Sequence, residues 1–351
     1  MKKNPKAWPV KTIPVEQAVG TVLAHDMTQV IPGKYKGPAF KKGHEITSGD
    51  LCRLMQMGKN NLYVLDLKTG QVHEDEAVME LASALAGPGV TFSGTPSEGK
   101  LELRAAYPGL FKVNVSVLED FNMLPDVMCA SIHTHTAVTK HQSLAATRAI
   151  PLVIRRSDLD QAVLLAKEHF PIFSVTLFLP LKIRLIITGD EVYKGLVQDR
   201  FQAIVKEKVT RLGGSLEESV ILPDHRDRIS RQIHEFLKKD TDLIITTGGM
   251  SVDPDDVTKE AIEDSGFEQI HYSSAVLPGA MFLLGYHGRT TIMGLPACGL
   301  YHRTTIFDLI LPRVMAGETP GARDLARLGH GGLCLNCKTC RYPACSFGKP
   351  G

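Results

Sequence analysis

The residues best suited to chemistry fall in four places along the chain. The first is Thr188-Gly189-Asp190-Glu191, directly behind a predicted strand at 184–187. A hydroxyl and two carboxylates there suit a hard cation or a ligand amine, although a turn with solvated acids accounts for the same residues. The second is Thr246-Thr247-Gly248-Gly249-Met250-Ser251-Val252-Asp253-Pro254-Asp255-Asp256. Paired glycines let backbone N–H groups approach a phosphate, and a following helix points its positive end at the same place. Asp253 as N-cap, Pro254 in the first turn and Asp256 two residues on would cap that helix with no ligand at all. Both readings hold together if Asp253 caps while Asp256, facing the Asp190 loop, helps to hold Mg²⁺. Without metal, three crowded carboxylates raise the pKa of one of them.

The third place joins Pro278-Gly279-Ala280 to Gly294-Leu295-Pro296-Ala297-Cys298-Gly299, predicted to frame a helix starting near Leu300. The fourth is Cys334-x₂-Cys337-x₂-Cys340-x₄-Cys345, four thiolates within twelve residues. They suit tetrahedral zinc or an iron–sulfur cluster, and the x₄ spacing with Ser346 after the last cysteine leaves both open. The other three cysteines, Cys52, Cys129 and Cys298, read as ordinary small residues, with Cys298 inside a candidate ligand loop. His133, His135 and His141 have no carboxylate or cysteine nearby to complete a ligand set, and Lys34, Lys36, Lys41 and Lys42 read as a solvated face.

Elements that position these loops follow from the apolar pattern. From residue 181 to 312 the chain alternates apolar strand, Gly-rich turn and helix. Strands are predicted at 183–187, 218–222, 243–246, 269–272 and 290–293, with helices at about 200–212, 226–237, 254–264 and 300–314. Parallel strands need crossovers, so the alternation implies an α/β domain with a mostly parallel sheet covered on both faces. Ligands then belong at the carboxyl ends of its strands. Upstream, residues 1–70 form a small mixed unit with a helix at 48–57. Residues 71–180 form a middle α+β region with helices at 76–85 and 158–168 and an alternating Val113-Asn-Val-Ser-Val segment. Residues 181–317 are the α/β domain, and 318–351 a linker leading to a separate four-cysteine knot.

The chain has 351 residues, 43% hydrophobic and 22% charged, which exceeds one ordinary core and excludes collagenous, disordered and membrane-bundle classes. Forty Lys plus Arg against 38 Asp plus Glu is too balanced to imply nucleic acid by bulk charge. The charge is nevertheless uneven: residues 1–70 carry +6, 319–351 carry +4, and the interior is acidic at −8. The start of the chain has no apolar signal run, and 172–187, the most apolar stretch, is broken by Pro180, Lys182 and Arg184. With an odd count of seven cysteines, this predicts a cytoplasmic chain with no membrane partner.

The ordered motifs Thr-Gly-Asp-Glu, Thr-Gly-Gly-x-Ser-Val-x-x-x-Asp, Pro-Gly and Gly-Leu-Pro resemble the molybdopterin-binding domain of molybdenum-cofactor biosynthesis proteins, over residues 181–317. Residues 12–66 are weakly similar to the start of the molybdopterin molybdenumtransferases, through Val15-Glu16-Gln17-Ala18-Val19-Gly20 and Lys42-Gly43-His44-Glu45-Ile46. The resemblance implies a three-layer α/β/α domain that binds molybdopterin, usually within an oligomer. It implies a transferase that hydrolyses adenylylated molybdopterin and inserts molybdate with Mg²⁺. The alternative is a non-catalytic carrier or sensor that delivers the cofactor to a client molybdoenzyme, and a third reading is hydrolysis of another nucleotide. Carried over by position, Asp190 and Asp256 take the catalytic, metal-positioning role. The ligand-contacting residues are Thr188, Gly189, Glu191, Thr247, Gly248, Gly249, Ser251, Asp253, Pro278, Gly279 and Pro296. Three departures stand out. Gly33-Lys34-Tyr35-Lys36 replaces Asp-Gly-Tyr-Ala, Ala280 stands where the transferases have lysine in Pro-Gly-Lys-Pro, and Ala297-Cys298-Gly299 replaces Gly-Asn-Pro.

Overall fold

The structure, a computed structural model, describes residues 11–31, 33–64, 69–97, 99–250 and 257–350. Its contacts divide the chain into two units. The first comprises Met1–Tyr107, Lys112–Ile132 and Lys140–Val175, and the second Pro108–Phe111, His133–Thr139 and Thr176–Gly351.

In the first unit, strands Lys11–Pro14 and Asn61–Val64 pair antiparallel, and Met27–Ile31 with Tyr35–Phe40 form a hairpin. A helix, Asp50–Gln56, lies where the sequence predicts one, and its Leu54 joins Val15, Leu23, Phe40 and Leu62 in a small core. Farther along, an antiparallel sheet runs Val90–Thr91, Lys100–Ala105, Ser143–Ala149, Val127–Ser131, with helices Glu74–Leu85 and Val115–Met123 packed on it and helix Arg156–Glu168 packed on both helices. The alternating segment at 113–117 is not one extended run. The strand Gly109–Val113 ends there, Asn114 accepts the Val117 N–H, and helix Val115–Met123 begins. An asparagine N-cap outweighs the alternation of three valines.

The second unit is an α/β domain built on one six-stranded sheet. Its strands are β1 Lys182–Thr188, β2 Ser215–Leu222, β3 Leu243–Thr247, β4 Glu268–Tyr272, β5 Leu283–His287 and β6 Thr290–Leu295, in the order β2-β1-β3-β6-β5-β4. The pairs β2–β1, β1–β3 and β3–β6 are parallel, and β5 runs antiparallel to both β6 and β4. All five strands read from the sequence are present. The sixth, β5, is one arm of a hairpin turning at Gly288, and a short apolar arm beside a glycine carries little periodicity of its own.

The helices are α1 Asp190–Tyr193, α2 Phe201–Arg211, α3 Arg226–Lys238, α4 Thr258–Glu263, α5 Ile306–Met315 and α6 Ala322–Arg327. Alternate strand residues face opposite ways, which sorts the helices into two layers. Ile183, Leu185, Ile187, Leu243 and Ile245 pack with Phe201 and Val205 of α2 and with Ile306 and Ile310 of α5. Ile186, Ile244 and Ile292 face Ile229, Ile233 and Phe236 of α3 and Ile262 of α4. The result is a three-layer α/β/α sandwich around a mostly parallel sheet. Because the chain passes from β1 outward to β2 and then crosses to β3 on the other side of β1, the topological switch point lies between β1 and β3.

The segment beyond residue 317 packs on this domain. Leu325, Leu328 and Phe347 are buried in the α2/α5 core, and Cys334, Tyr342 and Cys345 lie against it. The four-cysteine segment is therefore part of this unit's packing, where the sequence suggests a separate knot beyond a linker.

Candidate functional site

Register fixes which loops share an edge. Thr188 pairs with Leu222, Ile187 with Thr247, and Thr247 with Leu295, so β2, β1, β3 and β6 end in one row. The loops that follow therefore leave from adjacent strand ends, at the switch point where open α/β sheets bind ligands.

Thr188 is the hinge of this row. Its buried hydroxyl donates to the Thr247 carbonyl at 3.2 Å and lies 3.3 Å from the Thr258 hydroxyl at the start of α4. The Thr258 N–H in turn donates to the Gly249 carbonyl at 3.2 Å. Gly248 and Gly249 both take positive φ, 84° and 56°. A Cβ on Gly248 would stand 2.4 Å from the Thr188 carbonyl oxygen, and one on Gly249 would stand 2.3 Å from the Thr258 hydroxyl. The loop therefore requires glycine for conformation and for room alike. Met250 closes the row by lying over Gly294, and its carbonyl accepts the Tyr272 hydroxyl at 2.8 Å. Ser251, Asp253 and Asp256 lie outside the described residues.

Across β1 sits a second carboxylate that sequence reasoning missed. The Asp190 N–H donates to Asp224 Oδ2 at 3.0 Å, and the Asp224 N–H donates to Asp190 Oδ1 at 3.4 Å, so the loops after β1 and β2 clasp each other. Asp190 also takes a 2.5 Å ion pair from Lys194, and that ammonium holds its carboxyl below the usual range. Asp224 moves the other way: burial pushes its carboxyl up, and the neighbouring Glu191 and Asp190 add to this. Its Oδ1 and the Thr247 hydroxyl are buried with no hydrogen-bond partner among the described residues. The signal for Asp224 was present in Leu222-Pro223-Asp224, an acid just past an apolar strand, the same arrangement that singles out Asp190. Glu191 is exposed, with its carboxylate beside Gly189.

Pro278 and Gly279 are brought to helix α5. The Ile306 N–H donates to the Pro278 carbonyl at 3.3 Å, and a Cβ on Gly279 would meet the Ile306 side chain at 2.4 Å. That helix starts six residues later than the sequence suggests. Thr305 and Asp308 form a reciprocal capping box, and Ala297–Leu300 is a separate 3₁₀ turn. Pro296 lines an apolar crevice with Phe201, Thr305 and Phe307, floored by Lys208. Lys208 is half-buried against the buried Asp308, with both carboxylate oxygens 2.6 Å away, and it also donates to the Arg303 carbonyl.

No three His, Cys, Asp or Glu side chains are grouped to hold a metal ion among the described residues. For Mg²⁺, Asp190 is already engaged by Lys194, and Asp224 is turned to the Asp190 backbone, so the acids described do not compose a site by themselves. The four tail thiols do not gather either. Cys334 and Cys345 pack on the apolar core, while Cys340 sits 3.2 Å from the Thr304 hydroxyl. The arrangement does not support zinc or an iron–sulfur cluster there. His133 is used structurally, bridging to the Pro350 carbonyl at 2.9 Å. No described helix is long and apolar enough to cross a membrane.

Residues 184–316 match a sequence family described as a probable molybdopterin binding domain, and residues 12–66 match one described as a domain of unknown function. A CinA-like protein of Mycobacterium marinum is 36% identical over 78 residues, 22% of this chain and 18% of that protein. A CinA-like protein of Citrifermentans bemidjiense is 29% identical over 97 residues, 28% of this chain and 23% of that one. The chain thus spans about a fifth of the length of these curated relatives. Among solved structures, the molybdopterin biosynthesis enzyme MoaB of Thermus thermophilus is 20% identical with a TM-score of 0.34, covering 39% of this chain and 98% of that one. A molybdenum cofactor biosynthesis protein of Pyrococcus furiosus is 15% identical with a TM-score of 0.26, covering 89% of this chain and 66% of that one. Through residues 184–316, the chain carries a domain of the probable molybdopterin-binding family.

Proposed function

We propose that the chain binds molybdopterin at the ends of β1, β3 and β6 and takes part in molybdenum-cofactor biosynthesis, by molybdate insertion into adenylylated molybdopterin. The observation that carries the reading is the fully buried Thr247 hydroxyl, without a hydrogen-bond partner among the described residues and set beside two glycines that cannot accept a side chain. A buried hydroxyl without a partner is costly, and a phosphate oxygen at the glycine turn would satisfy it. In this reading Gly248, Gly249 and Thr247 hold the phosphate, with Thr188 fixing the turn, and Ser251 and Asp253 extend the cradle. Asp190 and Asp256 act at the reacting end, and Glu191, Pro278, Gly279 and Pro296 contact the rest of the ligand. Mg²⁺ would supply charge neutralisation when bound, and none of the roles assigned to these side chains passes through it.

The test is retention and turnover on the same preparation. Pterin released by acid oxidation of the purified chain is read by fluorescence, and conversion of adenylylated molybdopterin plus molybdate is read by reconstitution of an apo molybdoenzyme. Binding with conversion, lost in Asp190→Asn, supports the transferase reading. Binding without conversion supports the carrier reading, which Ala280 in place of a phosphate-facing lysine favours. Absence of pterin and of binding to added molybdopterin refutes both.

A further inference from the structure

Three segments of the second unit meet at the surface beside the Pro278–Gly279 turn. The tail forms a single bridge with the segment leading into that turn: the Leu277 N–H donates to the Gly332 carbonyl and the Cys334 N–H donates to the Leu277 carbonyl, both at 2.8 Å. The tail then passes to the loop before α5, where Cys340 meets Thr304. Phe347, buried beneath, anchors it. Along these segments Leu277, Leu333 and Leu335 are 56%, 62% and 74% exposed, and Tyr301 in the adjoining loop is 84% exposed. The three segments themselves carry no acid. Residues 274–281, 299–305 and 328–350 contain no Asp or Glu, while Arg303, Lys338 and Arg341 are exposed among them.

We propose that this surface is a docking site for an acidic, extended segment of a partner protein, one with apolar side chains at alternate positions. Leu333 and Leu335 are two residues apart in extended backbone and present one face, while Cys334 between them turns to the core. An incoming strand with period-two apolar residues matches that spacing, and its intervening carboxylates meet the basic rim. Four large apolar groups distinguish this surface from a nucleic-acid site, where contacts to phosphate dominate. The Pro278–Gly279 turn borders both sites, but Leu277, Leu333, Leu335, Tyr301, Arg303, Lys338 and Arg341 are not among the residues assigned to the pterin, so pterin retention and peptide binding are read separately.

The experiment uses the full chain and a fluorescein-labelled ten-residue peptide alternating Leu and Glu, read by anisotropy at 50 and 300 mM NaCl. The expected result is saturable binding weakened by salt, at least tenfold weaker for a Leu/Lys or a Ser/Glu peptide. Leu335→Glu should weaken it at least tenfold, and Arg341→Glu should weaken it and blunt the salt response, with pterin retention unchanged. Both positions are exposed, and melting temperatures check folding; Leu335→Gln and Arg341→Ala replace any variant that fails to fold. Equal binding of the Leu/Lys peptide, or variants that leave affinity unchanged, would overturn the proposal. So would tighter binding of a single-stranded oligonucleotide or of phosphatidylglycerol vesicles. Sedimentation showing self-association through Leu335 without peptide would assign the surface to a second copy of the chain and overturn it as well.

Discussion

Substituting Gly248 by alanine tests the phosphate cradle most directly. The residue has φ of 84°, a region that costs a non-glycine residue roughly 1–2 kcal/mol. The new Cβ would also sit 2.4 Å from the Thr188 carbonyl oxygen and 2.8 Å from its hydroxyl. Neither can yield cheaply, because the carbonyl belongs to the end of β1 and the hydroxyl is engaged with Thr247 and Thr258. The glycine turn must therefore move, carrying its N–H groups away from the phosphate. One lost hydrogen bond to a charged group is worth about 1.5–3 kcal/mol, or about 10- to 100-fold in affinity. Gly288→Ala is the control, since φ is 55° there and nothing lies within 4 Å of the added Cβ. Both variants should melt a few degrees low, Gly248→Ala the lower, but only Gly248→Ala should lose pterin, measured as oxidised pterin fluorescence per protein. A Gly248→Ala chain that keeps its full pterin content would refute the assignment of this turn to the ligand.

Three further outcomes follow from the geometry. Asp224 has a carboxyl pKa raised by burial, so the folded state holds its proton more tightly than the unfolded state, and the group's contribution falls as pH rises from about 4 through its folded pKa. Asp224→Asn should accordingly stabilise the ligand-free chain at pH 7 and have no such effect at pH 3 in urea titrations; destabilisation at pH 7 would contradict this. Lys208→Met leaves Asp308 buried without its cation and should cost about 3–5 kcal/mol in denaturant unfolding, and a loss under 1 kcal/mol would show the pair to be dispensable. The Thr304 hydroxyl holds the Cys340 thiol below its ordinary pKa while burial pushes the Cys129 thiol up to about 12. Limiting iodoacetamide at pH 7.5, followed by peptide mass spectrometry, should label Cys340 first and Cys129 last, with Thr304→Val slowing Cys340.

The α/β domain was legible because parallel strands buried on both faces read as short apolar runs, as at Leu185-Ile186-Ile187 and Leu243-Ile244-Ile245. The start of α5 was not, since Leu300 and Tyr301 continue the apolar pattern while the capping box at Thr305 sits inside it. Asp190 and the glycine pair were visible as local motifs. Asp224 belongs with them only through strand order, which places β2 beside β1, and pairing between distant strands leaves no local trace. The cysteine spacing illustrates the converse. A local pattern suggested a self-contained metal knot, whereas Phe347 and Cys345 are drawn into a core shared with α2 and α5. Side-chain burial across the fold decides such a segment's place, and spacing alone does not contain it.

Phe347 fills the same interior as Phe201 and Ile310, thirty-one residues beyond the end of the family match at 316. An expression clone trimmed to residues 184–316 would open a greasy hollow where Leu325, Leu328 and Phe347 belong. During synthesis that face of the sandwich is fully covered only once residues 325–347 have left the ribosome.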